Sequence, residues 1–255
     1  MANVYHLDLN KKLIKGAKIA LLPGDPARSS VISEAIAERY GSAPVRLASK
    51  REFTTYAATI GKSSILVTST GIGGPSTSIA IDELAQLGVT TFIRVGTTGA
   101  IQDHIKSGDC VITTGSVRLD GASTHYAPIE YPAVAHIDIV NALIQGAKAT
   151  GAKYHVGVTA SSDTFYPGEE RTDSFRKYIL KRFVGATKEW RALNVLNYEM
   201  ESSTVLTLTA SMGLKGGCIT GVVNKGSVGK ITKEALRKGE DSAVSSAVAS
   251  LEFLV

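Results

Sequence analysis

Short apolar runs and helix-patterned stretches alternate along almost the whole chain, and that alternation restricts the fold more than any other feature. Residues 18–22 form an apolar run, and 27–40 follow with Val31, Ile32, Ala35 and Ile36 on one side of a helix. Runs at 45–48, 53–60 and 65–68 succeed one another with no helix between them, which predicts an antiparallel excursion. A helix over 76–87 stops at Gly88 and another over 137–150 stops at Gly151, as glycine closes helices in the left-handed conformation. Strands are expected at 90–95, 110–113, 115–118, 154–160, 195–198 and 218–223, with further helices from about residue 171, over 201–212 and over 232–251. Residues 119–133 are polar and proline-bearing and read as a surface loop. No internal repeat and no Pro-, Gly- or Ser-rich linker divides the chain. The expectation is an α/β fold, one domain over 1–255 with a central mixed sheet flanked by helices.

Three of the expected strands end in the same kind of segment. Ile19-Ala20-Leu21-Leu22 runs into Pro23-Gly24-Asp25-Pro26-Ala27-Arg28, Ile65-Leu66-Val67-Thr68 runs into Thr70-Gly71-Ile72-Gly73-Gly74-Pro75-Ser76, and Phe92-Ile93 runs into Arg94-Val95-Gly96-Thr97-Thr98-Gly99. One such segment reads equally well as a plain turn. Three together, with glycines, hydroxyls and arginines at strand carboxyl ends and one of them opening a helix, point to an oxyanion such as phosphate.

Composition narrows the partner. Apolar residues make up 44% and charged residues 20% of the 255, as in ordinary globular chains that bury a sizeable core. The net charge of +5 is spread out, with no run of five like charges. A diffuse excess suits small anionic substrates better than a nucleic-acid groove, which shows a clustered basic face. Cys110 and Cys218 are distant and lie in apolar runs, so they read as buried thiols. The first sixteen residues lack the apolar core of a signal peptide, and no apolar stretch is long enough to span a bilayer, so a cytoplasmic location is expected.

Several chemistries are excluded by their motifs. There is no G-x-x-x-x-G-K-[ST] loop, no G-x-S-x-G elbow and no H-x-x-x-H pair. The Gly71-Ile72-Gly73-Gly74-Pro75-Ser76 string starts like a dinucleotide fingerprint, but Ser76 replaces the third glycine and Pro75 breaks the spacing. The junction Asn197-Tyr198-Glu199-Met200-Glu201-Ser202 places two carboxylates and a methionine between a strand and a helix. Such a carboxylate is either a favourable partner of the helix dipole or, with Met200 beside it, a grip on the vicinal hydroxyls of a sugar.

These segments carry a resemblance. Residues 4–7 (VYHL), 23–28 (PGDPAR), 47–55 (LASKREFTT), 69–80 (STGIGGPSTSIA), 94–102 (RVGTTGAIQ), 116–123 (SVRLDGAS), 157–168 (GVTASSDTFYPG) and 197–202 (NYEMES) occur in the order found in the hexameric type-I nucleoside phosphorylases, and resemble their uridine-cleaving members. The resemblance covers the chain to about residue 223 and weakens beyond it. It implies phosphorolysis of uridine or a close pyrimidine nucleoside to the free base and ribose 1-phosphate, in nucleoside salvage. Inorganic phosphate is then a co-substrate, and no organic cofactor is implied.

By position, the resemblance implies that Gly24, Arg28, Arg94 and Thr97 bind phosphate, with Arg51 supplied by a neighbouring subunit. Thr97, Met200 and Glu201 would hold the ribose, with the neighbour's His6 at its 5′ end. Thr98, Gly99, Phe165, Glu169, Arg171 and Tyr198 would line the base pocket, with Arg171 donating to the leaving base. Arg94, Glu201, Arg171 and His6 would thus carry the chemistry. Glu52, Ile72 and Ser76 match a monovalent-cation site, usually potassium, at a dimer interface. The partners implied are a nucleoside, phosphate and further copies of the chain, a hexamer built as a trimer of dimers, with no nucleic acid and no membrane.

The chain departs from that pattern in places. Purine-cleaving members carry an aspartate after the strand at 218–223 where this chain has Asn224-Lys225, which favours a pyrimidine. The uridine members carry glutamine at the position of Glu169 and arginine at that of Lys225, and their run matching Val222-Val223-Asn224 is one residue longer. Glu169 therefore leaves a second base preference open, since the adjacent N–H donors of guanine suit a carboxylate. A non-catalytic nucleoside-binding relative is the remaining alternative. Lys225-Gly226-Ser227-Val228-Gly229-Lys230 has the composition of a mobile lid.

Overall fold

The computed structural model describes residues 2–226 and 230–255. Strand β1 (Ile19–Leu22) leads into helix α1 (Pro26–Tyr40), which starts where Asp25 accepts the Ala27 N–H and Pro26 fixes the first turn. Strands β2 (Val45–Lys50), β3 (Phe53–Ile60) and β4 (Ser63–Thr68) form the antiparallel excursion expected from the sequence. Helix α2 (Gly74–Leu87) follows and ends at Gly88, whose φ of 102° is one that only glycine adopts readily. The chain continues through β5 (Thr91–Ala100), β6 (Cys110–Leu119), the two-residue β7 (Ala133–Val134), α3 (Ile137–Thr150), β8 (Tyr154–Ser162), α4 (Ala186–Ala192), β9 (Asn197–Glu199), α5 (Ser202–Ser211), β10 (Lys215–Lys225) and α6 (Lys233–Ser250).

All ten strands of the described residues belong to one mixed sheet. β1 runs parallel to β4 and β5, and β5 runs parallel to β10. The pairings β5–β10–β6–β8–β9–β5 close on themselves, so one half of the sheet curls into a barrel-like ring while β1 to β4 extend it as an open wing. Strands buried on both faces need apolar residues at consecutive positions. In β1, Ile19 and Leu21 face one core with Ile32, Ile36, Leu143 and Val248, while Ala20 and Leu22 face the other with Leu84, Phe92 and Leu206. Helices α1, α3 and α6 cover the first face and α2 and α5 the second.

The fold class agrees with the sequence reading, but three elements differ. Residues 94–99 form the second half of β5, not a turn. β10 pairs with that strand from Thr91 to Ala100, and these ladder bonds override the glycines that suggested a break. The two strands expected at 110–113 and 115–118 are one strand, β6, with an irregularity between Thr113 and Gly115. No α-helix starts at residue 171; the next one is α4, at Ala186. The intervening segment has no apolar stripe to bury, and Phe175 within it is fully exposed. Of the lid expected at 225–230, residues 227–229 lie outside the described residues. No helix among the described residues is long and apolar enough to cross a membrane.

Candidate active site

A cavity of about 450 Å³ opens where β1, β4, β5 and β9 reach their carboxyl ends, the position that open α/β sheets use for ligands. Gly24, Asp25, Pro26 and Arg28 line it from the β1–α1 connection, and Gly71 and Ile72 from the β4–α2 connection. Arg94, Thr97, Thr98 and Gly99 come from β5, and Tyr198, Glu199, Met200 and Glu201 from β9 and the start of α5. Phe165 and Glu169 come from the loop after β8; Val223, Asn224 and Ile231 complete the wall.

Arg94 is the electrostatic centre. Its Nε donates to Glu199 at 2.7 Å and its terminal nitrogen pairs with Glu201. All three side chains are nearly inaccessible. Burial pulls the Arg94 pKa down, but Glu201 and Glu199 outweigh it and hold the guanidinium above its ordinary value. Burial likewise raises Glu201, against the pull of Arg94.

Both carboxylates are anchored by backbone donors at helix starts. Glu201 accepts the Gly73 N–H at 2.6 Å, just before α2. Glu199 accepts the N–H groups of Glu201 and Ser202 at 2.8 and 2.9 Å, at the start of α5. Two positive helix ends therefore compensate two buried carboxylates that share one arginine. An arginine has five N–H donors, so Arg94 keeps donors beyond these two contacts for an anion in the cavity.

The loop after β8 sorts two adjacent acids into different roles. Glu170, with φ 56°, turns its carboxylate to the Gly185 and Thr187 N–H groups at the start of α4. Glu169 turns to the cavity, is 5% exposed, and has no hydrogen bond or ion pair among the described residues. Burial pushes its carboxyl up to about 8; Arg171 opposes this and Glu199 and Glu201 add to it. Burial also raises the Tyr198 phenol to about 12.

The expected site residues divide between the cavity and its surroundings. Gly24, Arg28, Ile72, Arg94, Thr97, Thr98, Gly99, Phe165, Glu169, Tyr198, Met200 and Glu201 line it. Arg28 is paired with Glu240 of α6. Thr98 donates its hydroxyl to the Tyr198 carbonyl and accepts from Asn197 at 2.7 Å, so its oxygen ties β5 to β9. Arg171 stands behind the wall: it stacks on Phe165 at 4.5 Å and grips Asp173 with two nitrogens. Lys225 points elsewhere, donating to the Asp103 carbonyl at 2.8 Å and the Gln102 carbonyl at 3.3 Å.

His6 and Arg51 do not line the cavity of their own chain. His6 bonds Glu83 at 2.7 Å through Nδ1, and Arg51 sits exposed at the β2–β3 turn with φ 55°. Glu52 and Ser76 both flank Gly71, and the Ser76 hydroxyl lies 3.5 Å from the Ile72 carbonyl. Sequence reasoning passed over Glu199 in favour of Glu201. The signal was present in a carboxylate three residues before Ser202, at the start of a helix.

The phosphorylase superfamily model matches residues 18–253. The chain belongs to that superfamily. Among its curated phosphorylase relatives, the uridine phosphorylase of Salmonella typhimurium is 52% identical over 244 residues, covering 95% of this chain and 94% of the relative. The uridine phosphorylase of Haemophilus influenzae is 50% identical over 256 residues, covering 100% of both. The guanosine phosphorylase of Halorubrum lacusprofundi is 35% identical over 202 residues, covering 79% of this chain and 76% of the relative. The superfamily match spans both the β1–α1 connection and the β9–α5 junction, so it covers the whole cavity wall.

Proposed function

We infer that this chain is a uridine phosphorylase, a pentosyltransferase that exchanges uracil for phosphate at C1′ of ribose. The observation that carries the reading is one cavity that combines an arginine held between two carboxylates with aromatic walls from Phe165 and Tyr198. Extended similarity to uridine phosphorylases supports it.

Phosphate sits against Arg94, Thr97, Gly24 and Arg28. Its oxygen forms a bond to C1′ as the C1′–N1 bond breaks, and the electron pair of that bond leaves with the base, which then takes up a proton. Positive charge develops on the sugar between these events. Glu201, held buried by Arg94 and Gly73, lies beside the ribose hydroxyls and stabilises that charge. No covalent nucleophile is needed; the work is orientation and electrostatics. Phosphate entering beside Arg28 competes with Glu240 for that guanidinium.

His6 and Arg51 complete the site of a neighbouring copy, in a hexamer built from dimers, and Glu52, Ile72 and Ser76 hold a potassium ion near that contact. The whole of 1–255 acts as one domain in the cytoplasm. A second reading, guanosine in place of uridine, rests on the Glu169 carboxyl in the cavity and on the similarity to a guanosine phosphorylase. Phosphate-dependent cleavage measured across uridine, thymidine, cytidine, inosine and guanosine separates the two. Uridine should be cleaved fastest, and a purine preference would overturn the first reading.

A further inference from the structure

Glu169 is a buried carboxyl that faces the cavity with neither a hydrogen bond nor an ion pair among the described residues. Desolvation without a partner disfavours charge. The charged and titratable groups around it do not reverse this. Arg171, two residues on, spends its guanidinium on Asp173 and the Gly226 carbonyl and lies flat on Phe165. Glu199 and Glu201, from β9 and the α5 start, repel a charge at 169, although Arg94 between them offsets part of that. Tyr198 stays a neutral phenol in the working range. From β10, Asn224 carries no charge and Lys225 is turned to the carbonyls of Gln102 and Asp103.

We propose that Glu169 reads the base as a neutral carboxylic acid, its carbonyl accepting the imide N–H of a uracil-type ring and its O–H donating to the adjacent ring carbonyl. This rests on the uridine reading above and goes further, making one proton on one side chain the condition for recognition.

The chemistry favours the neutral form. An imide edge offers one N–H donor flanked by carbonyl acceptors. An ionised carboxylate only accepts, so one of its oxygens would face a carbonyl oxygen. A neutral carboxyl carries one donor and one acceptor on the two oxygens of a single carbon and matches the edge twice. During cleavage the electron pair of the C1′–N1 bond moves into the base, and negative charge spreads onto the ring carbonyls. The O–H···O contact then becomes charge-assisted and strengthens, whereas a carboxylate would oppose the same charge. The carboxyl is held up to about 8, so the wild-type protein should lose base recognition as pH rises past that value.

Two measurements test this. First, kcat/KM for uridine at saturating phosphate is followed between about pH 6 and 9.5 for the wild type and Glu169→Gln. The amide has a donor and an acceptor at every pH, while ionisation of uridine and phosphate affects both proteins alike. The ratio of wild type to variant should be flat below about pH 7 and fall about tenfold per pH unit above about pH 8.5. A ratio that does not change with pH overturns the proposal.

Second, uridine binding to the wild type is measured by calorimetry in phosphate-free buffers of different ionisation enthalpy. Near pH 8.5 binding should take up a large part of a proton per site beyond what the measured ionisation of free uridine accounts for, and near pH 6.5 almost none. This needs no variant, so it decides even if Glu169→Gln fails to fold. Uptake at pH 8.5 no greater than the ionisation of free uridine explains, or no binding of uridine, overturns the proposal. Absence of phosphate-dependent cleavage alongside normal proton-linked binding would instead overturn the enzymatic reading and leave Glu169's role standing.

Discussion

Arg94 and Gly96 stand on the same face of β5, and the guanidinium of Arg94 lies across the space that a side chain at 96 would fill. A Cβ at Gly96 would come within 2.8 Å of an Arg94 terminal nitrogen and 2.9 Å of its central carbon. The arginine is the movable partner, so Gly96→Ala should fold and shift Arg94 out of its place between Glu199 and Glu201. The expected outcome is a higher phosphate KM, a loss of about 1.5–3 kcal/mol for one charge-assisted contact, with a smaller loss of stability than full removal of the arginine causes, as its buried pairs with Glu199 and Glu201 loosen. Steady-state kinetics in phosphate checks it, with thermal unfolding as the control. An unchanged phosphate KM would mean that the pose of Arg94 is not needed for the anion.

Removing the arginine itself should do more. Arg94→Ala strands the buried carboxylates of Glu199 and Glu201 without their shared cation, and breaking a buried pair from one side costs about 3–5 kcal/mol. Activity should fall together with stability. Part of the stability should return as pH is lowered, because the stranded Glu201 carboxylate, which burial already raises, can then take up a proton. Urea unfolding of wild type and variant at neutral and mildly acidic pH measures this. A stability gap that does not narrow on acidification would count against the two acids as its source.

Much of this fold was legible because its signals are local. Helix α3 is found at the expected residues, with Gly151 in a left-handed cap, and β3 likewise matches. The errors arose where a distant partner decides the outcome. Residues 94–99 look like a turn until β10 pairs with them, and nothing near Arg94 announces the strand that arrives from residue 215 onward. The candidate site was legible in its strings of glycine, arginine and hydroxyl, and Glu201, expected there, lines the cavity. Glu199 was not expected, because its importance lies in whom it holds. It bonds Arg94 at 2.7 Å, 105 residues away in sequence. The environment of Glu169 was equally hidden, since an exposed and a buried glutamate are the same letter. The sequence alone leaves its protonation state open, whereas burial in the fold raises the group to about 8.

The placement of His6 and Arg51 away from their own cavity suits a shared site and leads to a complementation test. Arg51→Ala and Glu201→Ala should each be inactive as pure assemblies. Mixed assemblies contain sites in which one copy supplies an intact Glu201 and its neighbour an intact Arg51. Mixing the two inactive variants under conditions of proven subunit exchange should restore activity, up to about a quarter of the sites for random pairing. No recovery after confirmed exchange would assign Arg51 to a role within its own chain, or to none.

The neutral state of Glu169 also has a consequence for stability that needs no substrate. Its carboxyl stands at about 8 in the folded chain against a reference of 4.5. Below the reference value both folded and unfolded chains hold the proton, and the group contributes no pH dependence. Between the two values the unfolded chain has released a proton that the folded chain still binds, so stability falls as pH rises. Above about 8 both states are ionised and the loss is complete, on the order of 3–5 kcal/mol for a shift of this size. Glu169→Gln removes the titration but keeps the shape. The variant should therefore gain on the wild type steadily from about pH 5 to pH 8, and the difference should level off beyond. Denaturant unfolding at one protein concentration across that range gives the two curves. If they run parallel, the folded chain does not hold a proton on Glu169, and the side chain is solvated or paired in solution.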